Sequence, residues 1–109
     1  MSDYTPPLTE IRFVLDEIAG LGAVAALPGY EEATGELADA VLGEAGRLAR
    51  DVLAPLNHSG DREGSRLENG VVYTPTGWAE AYGRFVDGGW MGLGFDPAHG
   101  GQGLPRLVS

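Results

Sequence analysis

Residues Gly88 to Pro105 read GGWMGLGFDPAHGGQGLP and hold seven of the chain's 18 glycines. Glycine at this density rules out a helix or strand interior, because each one gives up more backbone entropy on ordering than any other residue. The run is not a polar tether either, since Trp90, Met91, Leu93, Phe95 and Leu104 favour burial. It is expected to be ordered but irregular, anchored by apolar side chains and turned by glycines. Gly100, Gly101 and Gly103 would let backbone or a ligand come close.

Upstream, the apolar periodicity is helical. Leu8, Ile11, Val14, Leu15 and Ile18 trace one face of a first helix from Leu8 to about Gly20. Thr5 with Pro6 and Pro7 reads as its start. Phe13 falls off the stripe, and Glu10, Arg12, Asp16 and Glu17 are expected to face water. Gly20-Leu21-Gly22 ends the helix. The spacing Gly20-x-Gly22-x-x-Ala25 formally resembles a dinucleotide fingerprint, but that motif needs a strand before it, and a helix stands there instead. Val24 to Leu27 is a small apolar patch, and Pro28-Gly29 is a turn.

A second, longer helix is expected from a Thr34 cap to about Ala54, where Pro55 ends or kinks it. Gly35, Gly43 and Gly46 weaken it by roughly 1 kcal/mol each against Ala, so it depends on tertiary packing. Glu44–Arg47 and Arg47–Asp51 are exposed pairs of small worth. Asn57 to Arg66, NHSGDREGSR, reads as a polar loop. His58, Asp61 and Glu63 in it match no calcium-loop or zinc spacing. Asn69-Gly70 is a hairpin signal within Leu67 to Thr74, and so short a hairpin is expected to lie on the helices. Thr74-Pro75 reads as the cap and first residue of a third helix. Trp78, Ala81, Tyr82, Phe85 and Val86 form its amphipathic stripe, read first as core. Glu80–Arg84 is the favourable i,i+4 pair on its outer face. Gly88-Gly89 stops the helix, and Leu104 to Ser109 looks like the first turn of another.

Sixteen acids against seven bases, all Arg, give a formal charge of −9. That opposes nucleic acid and anionic membranes as partners. The acidity is uneven, with ten of the acids and three of the arginines between Met1 and Leu56. Without cysteine there are no disulfides, thiolate catalysis or Cys-ligated metals. No apolar run nears the ~18 residues of a membrane span, and no secretory signal opens the chain, so a cytoplasmic setting is expected. Asn57-His58-Ser59 fits a glycosylation sequon only by coincidence in that setting. No nucleophile elbow, phosphate loop or paired-histidine motif is present, and no spacing singles out an acid–base pair. The residues themselves therefore describe an acidic, mainly helical domain and no more.

A resemblance carries the reading further. Gly89, Trp90, Gly92, Leu93, Pro97, Gly100, Gly101, Gly103, Leu104 and Pro105 resemble the segment that closes the first helical part of acyl-CoA dehydrogenases. His99 stands where that family usually has Tyr. Tyr4, Pro7, Leu8, Phe13, Leu15 and Glu17 resemble the opening of a longer bacterial subfamily. The fold implied is mainly α: three amphipathic helices, a short hairpin and an ordered Gly-rich C-terminal segment. Residues 1–109 would be an incomplete N-terminal helical domain. The family uses FAD to oxidise the Cα–Cβ bond of an acyl-CoA in fatty acid metabolism. Its flavin sits between a β domain and a C-terminal helical bundle, and most members take the catalytic Glu from the C-terminal region. Both lie outside what this chain resembles. No catalytic, cofactor-binding or metal residue carries over, no FAD is expected on this chain alone, and it is expected to be inactive by itself. Tyr82, Phe85, Trp90, Phe95 and Leu104 are expected to form an acyl-pocket or interdomain surface. The partners implied are the remaining dehydrogenase domains, or a second copy through exposed apolar faces, with acyl-CoA bound by the full-length enzyme. The rival reading is a stand-alone acidic helical protein-interaction module.

Overall fold

The computed structural model describes residues 4–109. Its elements run α1 (Leu8–Phe13), α2 (Leu21–Ala25), α3 (Gly35–Arg47), α4 (Ala54–Glu63), β1 (Arg66–Glu68), β2 (Val71–Tyr73) and α5 (Trp78–Asp87). Two wide π turns, Val14–Ile18 and Leu48–Leu53, extend α1 and join α3 to α4. Two 3-10 turns, Trp90–Gly92 and Pro97–His99, sit in the Gly-rich segment. The mainly helical class follows as expected.

The first helix begins at Leu8 behind Pro7, later than Thr5 would place it, because two successive prolines hold the chain outside the helical region. Leu15 on its face packs with Leu21 and Ala38 into a small core, flanked by Ile11, Leu42, Leu107 and Val108. Gly20 takes φ +76 and turns the chain into α2, so a helix, not a strand, precedes the glycine pair. Arg12 does not face water. Its guanidinium reaches the Gly35 carbonyl at 3.2 Å, Asp16 at 3.0 Å and Asp39 at 3.0 Å, tying α1 to the start of α3.

Thr34 caps α3 as expected, its Oγ1 accepting from Leu37 N–H at 3.2 Å. Two expectations fail downstream. Pro55 neither ends nor sharply breaks the helix, and residues 57–63 are α4 rather than loop. The wide turn before the proline gives the reason: the Ala54 N–H reaches back five residues to Ala49, so the ladder is already reset where Pro55 offers no donor. Pro55 then occupies the first turn of α4, where its missing N–H costs least. Asp51 pairs with Arg50 at 2.7 Å rather than with Arg47, while Arg47 pairs with Glu44 as expected.

β1 and β2 form the hairpin foreseen at Asn69-Gly70. Both turn residues have positive φ, 51 and 78, as a type I′ turn requires. The hairpin does not lie on the helices, however, for every strand residue is exposed. α5 starts at Trp78 behind Gly77, not at Thr74, because Glu63 accepts from both the N–H and the hydroxyl of Thr76 at 3.0 Å and holds that stretch beside the end of α4.

The result is a slab of 53 × 34 × 18 Å with a radius of gyration of 17.1 Å. A compact domain of this length would have a radius near 13 Å. Its surface of 7761 Å² exceeds the roughly 5,800 Å² of a compact monomer of 11.4 kDa by about 2,000 Å².

Candidate functional site

The excess surface is apolar in two places around α5 and the segment after it. Along α5, Trp78, Tyr82 and Phe85 project at i, i+4 and i+7, and only Ala81 of the stripe is buried. The stripe is thus mostly uncovered, against its reading as core. Tyr82 and Val86 are exposed, and Phe85 is half-buried. Tyr82 and Phe85 stack with centroids 6.4 Å apart and planes 28° from parallel. Trp78 lies over Gly60, where a Cβ would meet the indole nitrogen at 2.4 Å, and its Nε1 is 3.5 Å from the Leu56 carbonyl. These rings, with Leu53, Leu56 and Ala81, line an open apolar groove of about 390 Å³. No charged side chain lines it.

The second place is built by the Gly-rich segment, which is ordered and irregular as expected. It folds back on itself through Gln102 N–H to Gly92 O at 3.0 Å, Gly103 to Phe95 at 2.9 Å and Leu104 to Leu93 at 2.9 Å. Gly101 is pressed against the Phe95 carbonyl. Trp90 sits half-buried over Gly88, Phe95 is exposed, and Leu104 is buried at 9%. Leu104 therefore anchors the segment inside the chain and offers little outward surface. Trp90, Leu93 and Leu104 face Leu37, Val41 and Leu48 across a cleft of about 860 Å³. The five expected surface residues therefore split, with Tyr82 and Phe85 in the groove, Trp90 and Leu104 in the cleft, and Phe95 on the outer surface.

The cleft is apolar at its floor and charged at its rim, where Glu32, Glu44 and Asp51 outnumber Arg47 and Arg84. A flavin pyrophosphate needs amide donors or cations at close quarters. The rim offers it net negative charge, so these residues do not fit that group. His58 and His99 are exposed, and among the described residues no three of His, Asp or Glu gather as a metal site. Arg50 holds the Asp51 carboxyl below the usual range, mainly through their hydrogen bond, and the Arg50 guanidinium rises in turn. Both are solvent-exposed, so the pair has the character of a surface ion pair and not of a tuned acid or base. Among the described residues no helix is long and apolar enough to cross a membrane.

The residue most consequential for the frame, Arg12, gave a weak signal in the sequence. A lone arginine among Glu10, Asp16 and Glu17 looks solvated until α3 is folded beside it.

No family model matches the chain. Over 105 residues, 96% of its length, it is 43% identical to 3-methylmercaptopropionyl-CoA dehydrogenase of Ruegeria pomeroyi. The aligned part covers 18% of that protein, so the chain spans about a fifth of the length of the curated relative it matches.

Proposed function

We propose that this chain, an acyl-CoA dehydrogenase relative over 96% of its own length, works as the N-terminal helical part of a flavin-dependent enzyme that oxidises an acyl-CoA thioester between Cα and Cβ. The observation that supports it is the pairing of that identity with an ordered Gly-rich segment carrying the half-buried Trp90 and exposed Phe95. On this reading the chain supplies wall and packing surface, and the reacting groups come from elsewhere in the enzyme. Trp90, Leu93 and Leu104 close one side of an apolar cleft that excludes water from an acyl chain. Phe95 meets the neighbouring domain, and the hydrogen bonds that fold the segment back keep it rigid. A bound FAD would supply the hydride acceptor, and on this reading the residues that would hold it belong to the rest of the enzyme. The chain alone turns nothing over. A cytoplasmic setting accompanies this reading.

The test is the visible spectrum of the product of the full reading frame that carries this sequence, recorded while acyl-CoA thioesters are added. A bound flavin that bleaches is the expected result. A colourless product, or a flavin indifferent to every acyl-CoA, overturns the reading.

A further inference from the structure

We infer that Asn69 is a self-modification site: the exposed hairpin turn converts it to aspartate and isoaspartate by cyclisation onto the Gly70 nitrogen. The inference goes beyond the dehydrogenase reading and does not rest on it.

The chemistry needs only water. The Gly70 nitrogen attacks Cγ of Asn69, and the new C–N bond closes a cyclic imide. Ammonia leaves, taking up the Gly70 amide proton. Water then opens the ring at one carbonyl or the other, giving aspartate or isoaspartate. A side chain on the next residue would crowd the attacking nitrogen, and glycine has none. The space a Gly70 Cβ would occupy is open to 4 Å, so no neighbouring group shields the nitrogen either.

The fold leaves both reacting groups free. Asn69 and Gly70 are exposed, and among the described residues neither the Asn69 carboxamide nor the Gly70 N–H has a hydrogen-bond partner. Attack requires Asn69 to turn out of its left-handed conformation, φ 51, so the rate follows how easily the hairpin opens. Little holds it closed. It has three residue pairs, and every strand residue is exposed. Its side-chain braces, Arg66–Glu68 at 2.9 Å and Arg66 over the Tyr73 ring at 5.5 Å, lie at the surface. A two-stranded hairpin without a packed face is marginal, and such segments open at low free-energy cost.

The chain's other asparagine supplies the contrast. Asn57 is equally exposed, but it lies inside α4, where the next N–H belongs to the helix ladder and the next side chain is His58. Conversion at Asn69 stays local. Isoaspartate adds a methylene to the main chain, so the two-residue turn no longer fits the Glu68↔Val71 register. Below the hairpin, Glu63 still accepts from the Thr76 N–H and hydroxyl at 3.0 Å and holds the end of α4 to the approach of α5.

The experiment is timed incubation of the 109-residue chain at mildly alkaline pH, folded and in guanidinium chloride. The tryptic peptides carrying each asparagine are followed by mass spectrometry, with isoaspartate identified by electron-transfer fragmentation. In the folded chain Asn69 is expected to convert at least about tenfold faster than Asn57. Its folded rate should also lie within about tenfold of its rate in guanidinium chloride. Gly70→Ala should slow it, and helicity by circular dichroism should persist as conversion completes. A folded-state rate at Asn69 less than about tenfold above that of Asn57, or more than about tenfold below its own unfolded rate, overturns the inference. So does a Gly70→Ala chain that converts as fast, since the cyclic route would then not be in use. Loss of helicity on conversion would overturn its confinement to the hairpin.

Discussion

Gly101 has no room for a side chain. A Cβ there would lie 2.1 Å from the Phe95 carbonyl oxygen, and backbone cannot swing aside as a side-chain tip can. Gly100 next to it has open space but φ +86, which costs an L-residue only backbone strain. Gly101→Ala is therefore expected to destabilise by about 3 kcal/mol and Gly100→Ala by about 1 kcal/mol, read from urea midpoints. Equal losses would mean that both positions matter only for chain freedom. Glu31 gives a second residue-scale prediction. Its own N–H and that of Gly29, the latter 3.0 Å from Oε2, hold its carboxyl below the usual range. A depressed folded-state value means that stabilisation is present above the unfolded-state value and is lost as pH falls through the folded one. The Glu31 carboxyl is expected to titrate below the ordinary value of an exposed glutamate in carbon-detected NMR, and a carboxyl that titrates at that ordinary value would mean that the two N–H groups do not hold it in solution. At this scale the sequence was legible where partners are near: Thr34 as a cap and Asn69-Gly70 as a turn. Arg12 was not, because its carbonyl partner lies 23 residues on.

Among the elements, the seam between α4 and α5 depends on Gly60. Its bare backbone receives the Trp78 indole, and a Cβ there would overlap the ring. Gly60→Ala gains helix propensity of about 1 kcal/mol but forces the indole off the helix. The net expectation is a loss of about 1–2 kcal/mol, with Trp78 fluorescence shifted to the red as the ring moves into water. A stabilised protein with an unmoved spectrum would show that the ring swings away freely. This seam was invisible in the sequence, where residues 57–66 read as loop. Their polarity marks an exposed helix face just as well as a loop, and Pro55 looked like a terminus because a wide π turn ahead of a proline leaves no trace in composition. The α5 stripe was read correctly as amphipathic, yet periodicity gives only the direction of an apolar face. Nothing in it says whether this chain or another molecule covers that face.

At the scale of the whole molecule, the slab shape makes a prediction about unfolding that single contacts do not. The slope of stability against urea scales with the surface exposed on unfolding. An unfolded chain of this mass exposes roughly 16,500 Å², so a compact fold would bury about 10,700 Å² and this one buries about 8,800 Å². The urea slope of the chain should then be roughly four fifths of that of a compact domain of equal length. The core that resists unfolding is also small, centred on Leu15, Leu21 and Ala38. A shallow slope with a low midpoint would place the missing stability outside the isolated chain, as expected of a layer whose apolar faces are completed by other surfaces. A full-sized slope would mean that the hairpin and α5 close onto the rest in solution. The groove lined by Trp78, Tyr82 and Phe85 would then be filled from within, and the packing surface proposed for the rest of the enzyme would lose its physical basis.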